Sequence, residues 1–290
     1  MHFFAGARCG YVVLIGETNA GKSTLINVLV GSKVSIVSRK LQTTLDITIG
    51  IVIIGDSQVV LVDTPGFISS SNNTLRPLDR LTWEAFRSSD EVLFLVDASK
   101  TKFTKSIALL KKIDEKRKIS LVLNKIDLIH KPKLLEIAFM FSSLRSFENI
   151  FMISSLHSNG VSDLINYLAT AMPYRDWIYD KDEITDSTFE HYVSEITREH
   201  IYNYLHQEIP YKCRVEVESY ENQADGSIRI VQNIYVQNQT HRKIFLGANG
   251  RKIKAIGTAA REELSRLLGR TVHLLLHVYD KRPNADKKSK

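Results

Sequence analysis

Eight consecutive residues, Gly16-Glu17-Thr18-Asn19-Ala20-Gly21-Lys22-Ser23, have the types and spacing of a loop built to hold phosphate. Glycines let the backbone curl so that successive NH groups point at an anion, and a following helix adds the positive end of its dipole. Lys22 can neutralise phosphate oxygens, and the Ser23 hydroxyl can coordinate a magnesium ion. Such a pattern arises by chance in about one chain per hundred of this length. Its surroundings argue against chance. The apolar run Tyr11-Val12-Val13-Leu14-Ile15 reads as a strand before it, and residues 24–30 read as a helix that Gly31 can stop.

Asn124-Lys125-Ile126-Asp127 closes another apolar run, residues 119–123, and so belongs on the same sheet rim as the phosphate loop. A carboxylate can accept two hydrogen bonds, and guanine presents N1–H and its 2-amino group as a matched donor pair that adenine lacks. Asp127 is therefore the candidate for choosing guanine, with Asn124 bracing the loop and reaching N7. Alone, the tetrapeptide would be no more than a polar turn; its strand-end position favours base recognition. Ser154-Ser155-Leu156, after the run 150–153, can present backbone NH groups to the guanine O6.

Between these lies Asp63-Thr64-Pro65-Gly66, at the end of the run 59–62. Asp63 is placed to hold Mg²⁺ through water and the Gly66 NH to bond a γ-phosphate, the plainer alternative being a turn closed by proline and glycine. A further candidate is Ser38-Arg39-Lys40-Leu41-Gln42-Thr43-Thr44, where Thr43 or Thr44 can complete the metal shell; the residues leave that choice open. Residues 38–44 and 67–74, the latter rich in Ser and Asn, are expected to act as switches that order around a triphosphate. Lys22, Thr43, Thr44, Asp63 and Gly66 thus form the candidate catalytic set, and Ser23, Thr43, Thr44 and Asp63 the candidate metal set. GTP or GDP with Mg²⁺ are the expected ligands.

The elements that must position these residues are short β-branched runs at 11–15, 59–62, 92–96, 121–123 and 150–153, alternating with helical stretches. Such runs suit strands buried on both faces of a mainly parallel sheet, with ligands at the carboxyl ends. Residues 47–54 followed by Gly55-Asp56 predict a hairpin into the run at 59, which adds one antiparallel edge strand. The expected fold class is α/β.

A second pattern begins after residues 172–177 and the acidic stretch 180–186, which read as a linker. Phe189, Tyr192, Val193, Ile196, Ile201, Tyr204 and Leu205 recur at helical spacing and form a core face. Alternating strands at 213–219 and 228–236 are joined around Asp225-Gly226. Lys243-Ile244-Phe245-Leu246 then leads to Gly247-Ala248-Asn249-Gly250, a helix at 251–268 and a strand at 271–278. The order α, β, β, α, α, β matches a type II KH domain, an α+β fold whose G-x-x-G turn clamps about four single-stranded nucleotides. Gly247, Ala248, Asn249 and Gly250 would admit the RNA backbone, with Arg251, Lys252 and Lys254 on phosphate. Ile253 and Ile256 would serve either as an apolar floor for bases or as core. The expected boundaries are a nucleotide-binding domain at 8–172, a linker at 173–186, the RNA-binding domain at 187–281 and a basic tail at 282–290.

Charge follows the same division. The chain carries a formal net charge of +7, yet residues 212–290 hold 16 Lys and Arg against 8 Asp and Glu, so the rest is slightly acidic. A local excess of this kind is the electrostatic footprint of a nucleic-acid module, against the plainer reading of a solvated tail. Cys9 and Cys213 are far apart and lack partners at metal-ligand spacing, which excludes a disulfide framework or zinc site and predicts two reduced thiols. No run approaches the length of a membrane span and the start lacks a signal peptide's features, so a soluble cytoplasmic protein is expected; a monomer is expected as well.

Together the nucleotide motifs resemble the TRAFAC-class GTPases, and the wording Ser38-Arg-Lys-Leu-Gln-Thr-Thr with Asp-Thr-Pro-Gly resembles the Era family of bacterial GTPases. A P-loop GTPase domain followed by a KH domain is that family's arrangement, so the resemblance spans nearly the whole chain. It implies Mg-dependent GTP hydrolysis, binding of the KH domain near the 3′ end of 16S ribosomal RNA, and a role in small ribosomal subunit assembly. It also implies peripheral contact with the cytoplasmic side of the inner membrane. Phe67 stands where Ras-like proteins carry a water-orienting glutamine, which implies slow intrinsic hydrolysis. Ala248-Asn249 lacks the cation common inside the clamp, Leu45 replaces the family's arginine and Ser155 its alanine, departures that bear on RNA affinity and switching.

Overall fold

The computed structural model describes residues 6–37, 48–64, 77–205 and 213–280. The chain divides into two compact units, Met1–Asp186 and Ser187–Lys290.

The first unit is a six-stranded sheet with helices on both faces. Along the chain run β1 (Arg8–Gly16), α1 (Lys22–Val30), β2 (Thr48–Ile54), β3 (Ser57–Asp63), α2 (Pro77–Ser88) and β4 (Glu91–Asp97). There follow α3 (Thr104–Leu110), β5 (Ser120–Asn124), α4 (Lys131–Leu144), β6 (Ile150–Met152) and α5 (Val161–Ala171). The strand order is β2-β3-β1-β4-β5-β6. Only β2 is antiparallel, as a hairpin on β3 with Thr48 opposite Asp63 and Ile54 opposite Ser57. Burial explains the composition: β3, β4 and β5 are covered on both sides, so their side chains are apolar at successive positions rather than alternate ones. One core layer gathers Val13, Phe94, Leu121 and Phe141, and the opposite layer Leu14, Leu25, Leu61 and Leu164.

This order places β1 between β3 and β4, where connections leave in opposite directions and the carboxyl ends open into a crevice. Gly16, Asp63, Asp97 and Asn124 end β1, β3, β4 and β5 on that rim. Residues 173–186 return along the same unit. Cys9 N donates to the Pro173 carbonyl, the Gln58 side chain bonds Ile178 and Tyr179, and Ile51 N donates to the Ile184 carbonyl.

The second unit packs α6 (Phe189–Tyr204), α7 (Gln239–Leu246) and α8 (Arg251–Leu268) on a sheet of β7 (Cys213–Asn222), β8 (Ile228–Val236) and β9 (Val272–Tyr279). The order is β7-β8-β9, with β8 antiparallel to β7 and parallel to β9. Thr188 starts α6 by accepting a hydrogen bond from His191 N. Residues of β8 alternate: Ile228, Ile230, Ile234 and Val236 pack against Ile201, Phe245, Ile256 and Leu264. Both cysteines are free thiols. Burial raises the pKa of Cys9, and that of Cys213 to about 12, so both stay unreactive. No helix among the described residues is long and apolar enough to cross a membrane.

Candidate functional site

The loop after β1 is shaped by two close approaches. A Cβ at Gly16 would fall 2.5 Å from the backbone oxygen of Leu95 on β4, so no other residue fits without moving the sheet. Gly21 has φ of 100°, and a Cβ there would fall 2.2 Å from Asn124 Nδ2. The second glycine therefore does two things: it adopts a conformation closed to L side chains and leaves room for the residue that begins the base-reading loop.

Asn124 ties three loops together. Its Nδ2 donates to the Ala20 carbonyl at 2.9 Å, while its Oδ1 accepts from Lys125 N at 2.8 Å and from the Ser155 amide and hydroxyl at 3.0 Å each. Lys125 bonds the Asn19 carbonyl at 2.9 Å and Asp97 at 2.7 Å, clamping the outer turn of the phosphate loop. Ser154 donates its hydroxyl to Asp127 Oδ1, which fixes the direction of the carboxylate. His157 Nε2 stands 3.9 Å from the other carboxylate oxygen. Thr18 is half-buried, Asn19 and Leu156 are exposed, and the Thr64 hydroxyl is spent on the Leu14 carbonyl.

Two charges lie buried at the centre. Lys22 Nζ, 6% exposed as a residue, donates to the Gly16 and Glu17 carbonyls at 3.2 and 3.0 Å. Burial lowers its pKa to about 8, against the opposing pull of Asp63 and Glu17. Asp63 is fully buried and accepts from the Ser23 and Ser35 hydroxyls at 2.6 and 2.7 Å, both on Oδ2. Burial raises its pKa, with Lys22 and the two hydroxyls working against that. Its Oδ1 has no hydrogen-bond partner among the described residues. An orphaned carboxylate oxygen beside a serine hydroxyl is a hard oxygen donor set, and it fits a Mg²⁺ ion.

Geometry reassigns Glu17 and adds residues that spacing could not show. The Glu17 side chain turns away from the loop interior to Lys100 Nζ at 2.6 Å and to the Ser106 hydroxyl of α3. Its carboxylate anchors the loop rather than facing a nucleotide, which only its backbone can do. Ser35 reaches Asp63 across 28 positions and has no motif around it. Asp97 was discoverable as an acid ending a buried strand on the loop's rim. Thr43, Thr44, Pro65, Gly66 and Phe67, with the two expected switch segments and Leu45, lie outside the described residues.

The state of Lys22 makes affinity depend on pH. Its ammonium is the form able to meet a phosphate, which would raise its pKa above that of the free protein. Nucleotide affinity is therefore expected to be full below about pH 8 and to fall as the pH rises through that value. Titration of GDP binding between about pH 7 and 9 should show this fall, and Lys22→Ala should abolish it.

In the second unit, a 3₁₀ turn at Ala248–Gly250 joins α7 to α8. Gly247 has φ of 69° and a Cβ there would meet Lys252 Cβ at 2.7 Å, so the helices close tightly on this glycine. Gly250 has φ of 72° with open space where a side chain would go. Asn249, at φ of 50°, is also left-handed. Ala248, Asn249, Arg251 and Lys254 are exposed, and Lys252 is half-buried. Ile256 is wholly buried in the core and so is no floor for bases, whereas Ile253 is half-buried at its edge.

Comparison with known proteins agrees with both halves. A family model described as "50S ribosome-binding GTPase" matches residues 11–125, and the KH domain model matches residues 208–282. GTPase Era of Afipia carboxidovorans is 45% identical over 93% of this chain and 88% of its own length, as is that of Brucella suis. A solved variant of Aquifex aeolicus Era bound to GDP and AlF4⁻ superposes with a TM-score of 0.83 at 27% identity, covering 96% of this chain and 95% of that one. Era in complex with MgGDPNP and nucleotides 1506–1542 of 16S ribosomal RNA gives 0.84 at the same identity and coverage. The chain, a GTP-hydrolysing enzyme with a KH domain, belongs to the Era family of GTPases.

Proposed function

We propose that this GTPase is a GTP-timed RNA clamp that binds the 3′ region of 16S ribosomal RNA through its KH domain and assists small-subunit assembly. The observation that carries the reading is the left-handed glycine turn at 247–250, followed by the exposed cations Arg251 and Lys254, in the same chain as a nucleotide site. A solved Era relative holding nucleotides 1506–1542 of that RNA supports the target. In the nucleotide site, the NH groups of residues 17–23 and Lys22 hold the β and γ phosphates, and Asp127 with Asn124 reads guanine. Ser154, Ser155 and Leu156 line the base, and Thr64, Pro65, Gly66 and Phe67 the phosphate side. Ser23 and Asp63 hold Mg²⁺, with Thr43 or Thr44; the ion neutralises phosphate charge. Gly66 contacts the γ-phosphate. Gly247, Gly250, Arg251, Lys252 and Lys254 meet the RNA backbone. The protein works in the cytoplasm as a monomer, with peripheral contact at the inner membrane.

The clamp has a clean test, because Gly250 is left-handed yet uncrowded and aspartate tolerates that conformation. Gly250→Asp should fold, keep GTP turnover and lose at least about tenfold in affinity for a 16S 3′-end oligonucleotide, through one added charge against phosphate. The timing is tested separately, by measuring that affinity with a non-hydrolysable GTP analogue and with GDP bound. Equal values would rule out coupling between the sites.

A further inference from the structure

The stretch from Lys100 to Lys118 carries eight Lys and Arg against two Asp and Glu, whereas the rest of residues 1–211 holds 15 against 22. It covers α3 and the turns before β5. Three of its cations have identified partners: Lys100 pairs with Glu17, Arg117 donates to the Ser89 carbonyl, and Lys118 pairs with Glu148 at 3.2 Å. Lys102, Lys105, Lys111, Lys112 and Lys116 are exposed, and none has a carboxylate within 4 Å among the described residues. Asp114 and Glu115 offset them only in part, leaving a net excess of six positive charges in the stretch.

Placement makes these lysines a surface. Ser106, Leu109, Leu110 and Ile113 point inward, and Lys105, Ala108 and Lys112 occupy the opposite face of the same helical turns, which continue to Ile113 through backbone bonds. We propose that this face docks on the phosphate backbone of a double-helical RNA segment while the KH domain holds a single strand, an inference that rests on the RNA-clamp reading above. The occupant follows from what the face lacks. Single-strand readers interleave cations with aromatic rings for stacking, but Phe103 is buried. A membrane-surface helix needs large apolar residues beside its lysines. The exposed neighbours within the stretch are Thr101, Thr104, Ala108, Asp114 and Glu115, and the large apolar residue exposed beside Lys111 is Leu144 of α4, at one edge of the face. Free ammonium groups with small polar neighbours suit backbone contact without base reading, and a cationic face on an otherwise acidic unit steers a polyanion to one side.

The test uses the full chain with Lys105→Glu, Lys111→Glu and Lys112→Glu combined, and two RNA probes: a 16S 3′-end single strand, and the same strand extended by a stable stem-loop. The wild type should bind the stem-bearing probe more tightly. The variant should keep the single-strand affinity within about twofold, lose about tenfold or more on the stem-bearing probe, and show a salt slope lower by about 2 to 3. Equal loss on both probes, or no loss on either, overturns the proposal. Loss of binding to phosphatidylglycerol vesicles with RNA binding intact overturns it in favour of a membrane contact. If the wild type binds neither probe, the RNA-clamp reading itself has failed, a result distinct from those. Because the three lysines are exposed, an unchanged melting temperature and GTP turnover should accompany the variant.

Discussion

Replacing Lys22 with alanine is expected to lower single-turnover GTP hydrolysis by about 10³-fold or more, while leaving the melting temperature of the nucleotide-free protein unchanged or slightly raised. The two readouts move apart because the ammonium is buried for the sake of an anion it must meet. In the free protein it is held by two backbone carbonyls, and burial has already lowered its pKa to about 8. Removing it relieves that burial cost, which offsets the lost hydrogen bonds, and Asp63, whose pKa burial already raises, is expected to take up a proton in place of its lost counter-charge. With triphosphate bound, the same ammonium would face the charge on the phosphates, and the loss expected corresponds to about 4 kcal/mol of barrier. A melting temperature several degrees lower, with turnover down only a few-fold, would make Lys22 a structural residue.

Legibility from sequence tracked how local each feature is. The loop at 16–23 and the tetrapeptide at 124–127 could be read because their chemistry is written in adjacent residues and their strands are continuous apolar runs. The helix at 251–268 was expected at the bounds observed, since a left-handed glycine stands at each end. Contacts across the fold were out of reach. Nothing near Ser35 announces that it shares Asp63 with Ser23, and Glu17 sits inside a nucleotide motif while its carboxylate serves Lys100 and Ser106. Ile256 shows the limit of periodicity, which could not separate a floor for bases from a core position. The five exposed lysines around α3 do not show in the net charge of the first half of the chain, because the acids elsewhere in it outnumber the bases.

Exchanging Asp127 for asparagine is expected to invert base preference, with GTP affinity falling by about 10³-fold or more and xanthosine triphosphate gaining relative to it by a similar factor. Ser154 holds one carboxylate oxygen, and Asn124 fixes the loop through both ends of its amide. The side chain at 127 is therefore aimed before a base arrives, and asparagine inherits its direction. Guanine asks for two acceptors. Asparagine offers one acceptor and an NH₂ that would confront the guanine 2-amino group, leaving two buried donors unpaired. Xanthine carries a carbonyl at that carbon, so the amide's donor and acceptor both find partners. Competition binding of GTP, xanthosine triphosphate and ATP to Asp127→Asn measures the inversion directly. A variant that still ranks GTP above xanthosine triphosphate would overturn the assignment of base selection to the Asp127 side chain, since both bases carry the same O6 and differ at the carbon that side chain reads.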